Sequence, residues 1–286
     1  MHSKINLILK ALKEVFYKPS GGYKFSLYDF FLFLYEYISG VPKVAVTESD
    51  TEYSIVNVKG LKVVWPATAD HKDLGWLYKE IFSPYFLNPS SYCHPKIKWY
   101  EKDWIMDAGC CEGYFSISAL RKSNSSTRLL CIEPSSQLCS AVEKSFKLNA
   151  LSHRDITVLP VGLSNIRGEA YLSTNLDCLS DNVVSHEETS EIIKLDTIDS
   201  ISQEFQLGDN GHIKMDIEGF EMLALKGATN LLKTKKPTLS IAVYHGLENA
   251  NECAYLIKKA NPSYKIYMRG CYGYFTPPRP FMLFAI

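Results

Sequence analysis

The 286-residue chain lacks the features that place many proteins in a class from composition alone. Its lysines and arginines number 31, as do its aspartates and glutamates, so no positive excess favours a nucleic acid as partner. None of its eight cysteines stands in a Cys-x-x-Cys pair or in a Cys/His cluster at zinc-ligand spacing. We therefore expect reduced thiols, as in cytoplasmic proteins, rather than a disulfide framework or a structural metal.

Long apolar runs and a signal-peptide cleavage site are also missing. We accordingly predict a cytoplasmic protein with no transmembrane span. Residues 5–17 and 25–38 carry apolar side chains at helical spacing, which predicts a helical hairpin within residues 1–42. The second helix is rich in aromatic residues, and the hairpin could pack on the main domain, join two chains as a homodimer, or make peripheral contact with a membrane.

The rest of the chain divides into two parts. Residues 43–95 predict short strands turning at Lys59-Gly60, a helix over 74–82 and a proline-containing loop, together a flanking segment or lid. From residue 96 to 286, strands and helices alternate, which predicts an α/β domain with a doubly wound, largely parallel sheet. Segments 264–268 and 281–286 are expected to close that sheet as an antiparallel pair, and 174–190 to form a loop over the site.

The segment from Trp104 to Gly113 predicts a buried strand that leads through a glycine turn into a helix, which is the pattern of a cofactor-binding turn. Gly109 would allow the sharp exit, and Gly113 would let the helix pack closely. A dinucleotide site needs a middle glycine where this chain has Cys110 and Cys111. Asp107 at the strand end suits a ligand with an ammonium and a sulfonium, which favours S-adenosylmethionine over a dinucleotide.

A second acid supports this prediction. The strand 128–133 ends in Glu133, 20 positions after Gly113, where ribose hydroxyls are bound in doubly wound folds. Polar residues at other strand ends form a second chemical centre, because ligands lie at the carboxyl ends of parallel strands. Asp216 could orient or deprotonate an acceptor hydroxyl, and Glu218 and His245 are further candidates. Their spacing is no metal signature and we expect no metal, although the three could alternatively gather a divalent ion.

Four motifs together resemble the FkbM family of S-adenosylmethionine-dependent methyltransferases, over about residues 77 to 286. They are Asp107-Ala-Gly-Cys-Cys-Glu-Gly113, Gly162-Leu-Ser164, Leu195-Asp196 and, most specifically, Ile213-Lys-Met-Asp-Ile-Glu-Gly-Phe-Glu-Met-Leu-Ala-Leu-Lys-Gly-Ala228. The resemblance implies a seven-stranded methyltransferase Rossmann-like sheet and O-methylation of a sugar, glycan, glycolipid or natural-product hydroxyl. The family commonly has Ala-Asn where this chain has Cys110-Cys111, which is expected to alter the cofactor pocket.

The resemblance also implies residue roles. The methionine end of the cofactor would be framed by Asp107, Gly109 and Gly113. Its ribose would be held by Glu133, and its adenine would lie near Gly162 and Leu163. The neighbouring Cys110, Tyr114 and Pro134 are counted with them as cofactor-binding residues. Asp216 would face the acceptor. Two alternatives remain open: a catalytically silent scaffold that keeps the fold, and an NAD-dependent oxidoreductase, which the missing middle glycine disfavours.

Overall fold

The computed structural model describes residues 26–173, 183–185, 191–246, 248–270 and 279–286, together with Asn6 and Leu9. The helix predicted at 5–17 and the aromatic residues near 272–275 therefore lie outside the described residues. The helices are α1 (Leu27–Ile38), α2 (Leu74–Phe82), α3 (Tyr114–Lys122), α4 (Ser136–Leu148), α5 (Ile198–Glu204), α6 (Glu221–Lys226), α7 (Thr229–Thr234) and α8 (Asn249–Ala260).

The strands form three sheets. Their bounds are β1 (Val44–Ser49), β2 (Tyr53–Val58), β3 (Leu61–Pro66), β4 (Trp104–Ala108), β5 (Arg128–Ile132), β6 (Ile156–Leu159), β7 (Val161–Leu163), β8 (Gly168–Ser173), β9 (Val183–Ser185), β10 (Glu191–Asp196), β11 (Gly211–Met215), β12 (Thr238–Ala242), β13 (Ile266–Arg269) and β14 (Met282–Ala285).

The main sheet has seven strands in the order β13-β14-β12-β11-β4-β5-β6. Strands β12, β11, β4, β5 and β6 run parallel, whereas β14 is antiparallel to β12 and to β13. The predicted α/β fold and its closing antiparallel pair are therefore confirmed. The chain order reverses between β4 and β11, which are neighbours, and a ligand is expected at this switch point beyond the strands' carboxyl ends.

Both faces of the main sheet are covered, and its central strands β4 and β11 are buried at every position. One core joins α3 and α4 with the small sheet β1–β3, and includes Ile117, Val142 and Val63. The other core joins α5 to α8 on the opposite face, and includes Ile201, Leu231 and Ile257. This two-sided packing fixes the strand ends that carry the candidate site.

A second, four-stranded sheet in the order β7-β10-β8-β9 was not predicted as a separate unit. Gly162 predicts a turn from its residue type but lies within β7, and part of the loop expected at 174–190 forms β9. The sequence pattern from Phe220 to Leu232 predicts one helix, whereas the structure has two short helices, α6 and α7, with Gly227 between them. A β-carbon on Gly227 would lie 2.2 Å from the main-chain oxygen of Ser164, which leaves room only for glycine. Two of the sequence motifs thus meet at this contact.

The small sheet β1–β3 is antiparallel, and its β2–β3 hairpin turns at Lys59-Gly60 as predicted. It packs on α4, where the buried Ser145 hydroxyl accepts a hydrogen bond of 2.8 Å from the Val64 amide. Helix α1 buries Phe30, Leu32 and Phe33 but exposes a row of large apolar side chains on its other face, namely Leu27, Tyr28, Phe31, Tyr35 and Ile38. The division of the chain into three parts and the role of this helix stay predictions.

Within the part of the chain that the structure describes, no helix combines the length and the apolar character that a bilayer span requires.

Candidate functional site

The predicted cofactor turn lies at the end of β4, beside the switch point. Gly109 has φ +74° and Gly113 has φ +82°, a region that L side chains rarely adopt. A β-carbon on Gly109 would lie 1.9 Å from the main-chain oxygen of Asp216, so the turn and the β11 end are in direct contact. At Gly113 the space is ordinary, 3.4 Å from Val142. The backbone conformation, rather than the expected close helix packing, accounts for Gly113.

Asp107 is fully buried, and protein groups hold both of its carboxylate oxygens. Lys214 Nζ lies 3.0 Å from Oδ1, and the Ser116 hydroxyl donates to Oδ2 at 2.6 Å. Lys214 is opposite Asp107 in the register of β11 and β4. Burial alone would lower the pKa of Lys214, but the charges of Asp107 and Asp216 hold it above its usual range. The expected direct pairing of Asp107 with a ligand cation does not match this geometry, because Lys214 already occupies that place.

The two cysteines of the turn, Cys110 and Cys111, lie in different environments. Cys110 is buried within the core, beside Cys131, rather than in the space expected for a ligand. Cys111 has φ +42° and its amide donates to Glu133 Oε2 at 3.2 Å. The side chain of Cys110 therefore does not fill the pocket as predicted. All six described cysteines are free, in agreement with the predicted reduced thiols.

Glu133, which directly follows β5, contacts the main chain of the cofactor turn. Its Oε2 accepts from Cys111 and its Oε1 accepts from the Ser135 amide at 3.1 Å, after the half-buried Pro134. Burial raises the pKa of Glu133 to about 7, although these two amides oppose the shift. Burial likewise raises the pKa of Glu112 to about 7. Because a carboxylate can accept about four hydrogen bonds, Glu133 keeps capacity for a ligand hydroxyl.

Three predicted cofactor residues are placed chiefly by packing. Tyr114 is fully buried with its ring against Tyr78 and Phe82 of α2, so its side chain joins the flank to α3. Gly162 and Leu163 lie in β7, and the Leu163 side chain is buried in the core that includes Ile198. Any ligand contact of Leu163 would therefore come from its main chain.

The acceptor-side prediction is centred on Asp216, which follows β11. Its amide donates to the Ala108 oxygen at 3.0 Å, which ties it to the cofactor turn. The buried Tyr92 hydroxyl donates to Asp216 Oδ2 at 2.5 Å, and the Asp216 side chain is 20% exposed. Helix α6 has Phe220 at its N-cap position and no side-chain cap bond, and Glu221 accepts the amides of Ile217 and Gly219 in the loop before it. Asp216 is thus free of the helix-capping role and sits at the opening of the site.

His245 gathers the second centre. Its Nε2 lies 3.4 Å from Asp216 Oδ1 and 3.3 Å from Glu218 Oε2. Its Nδ1 lies 3.0 Å from Glu221 Oε1, and Asn249 donates to Glu221 Oε2 at 2.9 Å. Burial alone would lower the pKa of His245, but the neighbouring carboxylates raise it to about 11. The structure thus brings together the three residues that the sequence proposed for catalysis.

A further acid comes from the flank. Burial and the nearby Asp216 raise the pKa of Glu80, on α2, to about 8. Glu80 also interacts electrostatically with Glu112, so acidic groups extend from the acceptor side to the cofactor turn. Lys214 and His245 are the cations associated with these acids among the described residues. The raised pKa values show that ionisation of these buried acids is costly, and a cationic ligand beside them would favour their charged forms.

The sequence reasoning did not identify four contributors: Lys214, Glu221, Tyr92 and Glu80. A signal existed for Lys214, because a lysine between Ile213 and Met215 in a buried strand needs a buried partner. Glu221 could have been suspected from its place at the start of a helix after Gly219. Tyr92 and Glu80 reach Asp216 only through the tertiary fold, and no local pattern marks them.

Comparison with known proteins supports the fold and the order of motifs. The family model of the methyltransferase FkbM domain matches residues 107–262, which include the turn, Glu133, Asp216 and His245. The chain belongs to the FkbM methyltransferase family. None of the curated proteins compared matches it. The predicted membership is confirmed, and with it a cofactor of the S-adenosylmethionine type is implied for the family.

Solved structures extend the comparison. A methyltransferase FkbM from Methylobacillus flagellatus KT is 22% identical, with a TM-score of 0.51, over 73% of this chain and 48% of that one. This FkbM chain thus spans about half the length of that relative. An O-methyltransferase from Bacillus cereus in complex with SAH is 13% identical, with a TM-score of 0.40, over 77% of this chain and 84% of that one. The first likeness supports the shared fold.

Proposed function

We propose that the chain is an S-adenosylmethionine-dependent O-methyltransferase that acts on a hydroxyl of a sugar, glycan, glycolipid or natural product. The observation that carries the proposal is the contact between the cofactor turn and Asp216, where Gly109 leaves no room for a β-carbon. A family-type cofactor turn and a carboxylate at the acceptor side are thereby adjacent. Transfer of a group between two bound molecules requires such adjacency.

The turn residues fit S-adenosylmethionine in charge. Glu112 and Glu133 are buried acids whose pKa values are raised to about 7, so a ligand cation nearby would offset an existing cost. Glu133 would hold the ribose hydroxyls, and the main chain at Gly109 and Cys111 would border the methionine end. When bound, the cofactor supplies a methyl group that its sulfonium has already activated. Asp107 would act indirectly, by holding Lys214 and the strand end.

On the acceptor side, the protein's task is to orient one hydroxyl and to receive its proton. Asp216 has one oxygen bonded to Tyr92 and is 20% exposed, so it is fixed in place yet accessible. His245 and Glu218 border the same opening. Because the methyl group is already activated, positioning should contribute more to the rate than proton removal.

Calorimetric titration of the full chain with S-adenosylmethionine, and separately with NAD, tests the proposal. We expect saturable binding of S-adenosylmethionine and none of NAD. Glu133→Gln should weaken binding by about tenfold, since one hydrogen bond to a charged group contributes about 1.5 kcal/mol or more. Glu143→Gln, the same change at an exposed position of α4, is the matched control.

Asp216→Asn then separates an enzyme from a silent scaffold. It should retain cofactor binding and lose turnover with hydroxyl acceptors, measured by transfer of labelled methyl groups. Saturable NAD binding in place of S-adenosylmethionine, or unchanged turnover by Asp216→Asn, would contradict the proposal.

A further inference from the structure

We propose that Asp216, Glu218 and His245 form a binding site for a divalent first-row metal ion, with open coordination positions toward the acceptor. Each residue offers one ligand atom, and these atoms all lie within 4.8 Å of one another. The ion's role in orienting the acceptor hydroxyl rests on the proposed function. Its binding does not, and can be measured alone.

Unpartnered buried atoms point into the cluster. Asp216 Oδ1 and His245 Nε2 are two of the buried atoms that make no hydrogen bond of acceptable geometry among the described residues, although they lie 3.4 Å apart. The His245 side chain is only 7% exposed, and its Nε2 faces both carboxylates. Buried polar atoms without a partner are uncommon in folded proteins, and a missing ion is one of the standard explanations. A bound ion would give both atoms a partner at once.

The far side of the imidazole is organised as it is for metal-bound histidines. Glu221 Oε1 lies 3.0 Å from His245 Nδ1 and would accept its proton, which leaves Nε2 as the ligating nitrogen. Glu221 is itself fully buried and held by Asn249 and by the amides of Ile217 and Gly219. A carboxylate that orients the ligating ring in this way is typical of metal sites.

The same support exists for the first carboxylate. Tyr92 donates to Asp216 Oδ2, which fixes the carboxylate with Oδ1 directed to His245. Two of the three ligand residues are therefore oriented by a separate buried side chain, one from the flank and one from α6. A surface cluster of acids would not need such supports.

The backbone at Glu218 adds an independent observation. Glu218 has φ +52°, a conformation that costs energy for a residue with a β-carbon, and Gly219 follows with φ +95°. The resulting bend brings Glu218 back toward His245, 3.3 Å away, instead of letting the side chain extend with the outgoing chain. Strained conformations of this kind tend to be kept where they place a functional group.

The donor set indicates which ion would bind. Two carboxylate oxygens and one imidazole nitrogen suit Mn²⁺, Fe²⁺ or Zn²⁺ better than Ca²⁺ or Mg²⁺, which favour oxygen ligands throughout. Three protein ligands leave at least one position open, as in catalytic rather than structural sites. The surplus of negative charge around His245, from Asp216, Glu218 and Glu221, also favours a cation there.

The test is the binding of Mn²⁺ to the full chain after treatment with a chelator. Binding is measured by electron paramagnetic resonance as the loss of the signal of free Mn²⁺. We expect one bound Mn²⁺ per chain, displaced by added Zn²⁺. Glu218→Gln and His245→Gln should each weaken binding at least tenfold, because each removes a ligand. Glu221→Gln should weaken Mn²⁺ binding by about 10- to 100-fold, although it removes no metal ligand. The matched control is Glu248→Gln, an exposed acid near His245 in the chain that should leave binding unchanged.

Circular dichroism checks that each variant is folded, and S-adenosylmethionine titration of the metal-free chain checks the proposed function separately. Cofactor binding without any Mn²⁺ binding would overturn the metal site and leave the methyltransferase proposal standing. Mn²⁺ binding that Glu218→Gln and His245→Gln do not weaken would also overturn it. Specific Mn²⁺ binding without S-adenosylmethionine binding would support the metal site and count against the proposed function.

Discussion

The buried ion pair of Lys214 and Asp107 yields the sharpest prediction about stability. The two side chains are 6% and 0% exposed, and their charged atoms are 3.0 Å apart. At an effective dielectric constant of about 20, this separation corresponds to an attraction of about 5.5 kcal/mol, most of which offsets the cost of burying two charges. Replacing Lys214 by Met leaves the carboxylate buried without its cation. We expect Lys214→Met to lower the free energy of unfolding by about 3 to 5 kcal/mol.

The double variant Lys214→Met/Asp107→Asn makes the prediction specific to charge. The amide introduced by Asp107→Asn would remain beside the Ser116 hydroxyl and needs no cation, so much of the lost stability should return. We expect the double variant to be more stable than Lys214→Met by about 2 kcal/mol, a clear departure from additivity.

Urea denaturation followed by circular dichroism measures both effects. With an m-value of about 3 kcal/mol/M, Lys214→Met should lower the urea midpoint by about 1 to 1.7 M. A loss below about 1 kcal/mol in the single variant, or a double variant less stable than Lys214→Met, would refute the view that Asp107 is a buried, charged partner of Lys214.

Three other substitutions test separate contacts. Gly109→Ala should abolish saturable S-adenosylmethionine binding and lower the melting temperature, because its β-carbon would lie 1.9 Å from the Asp216 oxygen at a φ of +74°; normal binding would contradict this placement of the turn. Gly227→Ala should destabilise the fold by about 2 kcal/mol or more in urea denaturation, since its β-carbon would lie 2.2 Å from the Ser164 oxygen. Burial raises the pKa of Glu36 from 4.5 to about 7, so its stabilising contribution is complete below pH 4.5 and is lost as pH rises through 7. Between pH 4 and pH 8, the free energy of unfolding of Glu36→Gln should therefore rise by about 3 kcal/mol relative to that of the parent protein. Parallel pH profiles of the two unfolding free energies would disprove the shift in the pKa of Glu36.

Local sequence patterns predicted the main sheet well because each of its strands carries its own signal. The run before Asp107 is apolar, as a strand buried on both faces must be, and glycines mark the turn that follows. The neighbouring positions of β4 and β11 followed from the doubly wound topology, which has few alternatives. Because Asp216 directly follows β11, this topology by itself places it beside the turn that follows β4.

The wrong details have a common physical origin in side-chain direction and long-range packing. Asp107 was expected to face a ligand, but its register partner Lys214 supplies the cation from inside the sheet. Cys110 was expected in the pocket, yet it points into the core. The four-stranded sheet around β7 was missed because β7 and β9 are only 3 residues long each, too short to show a strand pattern of their own. A strand pattern indicates which residues are extended, but it does not say which partner strand they join.

The family match begins at residue 107, but the candidate site does not. Tyr92 and Glu80 precede it in the chain, and both act on Asp216, one by a hydrogen bond and the other by its charge. The cofactor turn, in contrast, is built almost entirely from residues inside the matched range. Because Tyr92 of the flank reaches the site at Asp216, Tyr92→Phe should alter acceptor choice and rate more than cofactor affinity. The identity of the acceptor is therefore to be sought in the flanking segment as much as in the family motifs.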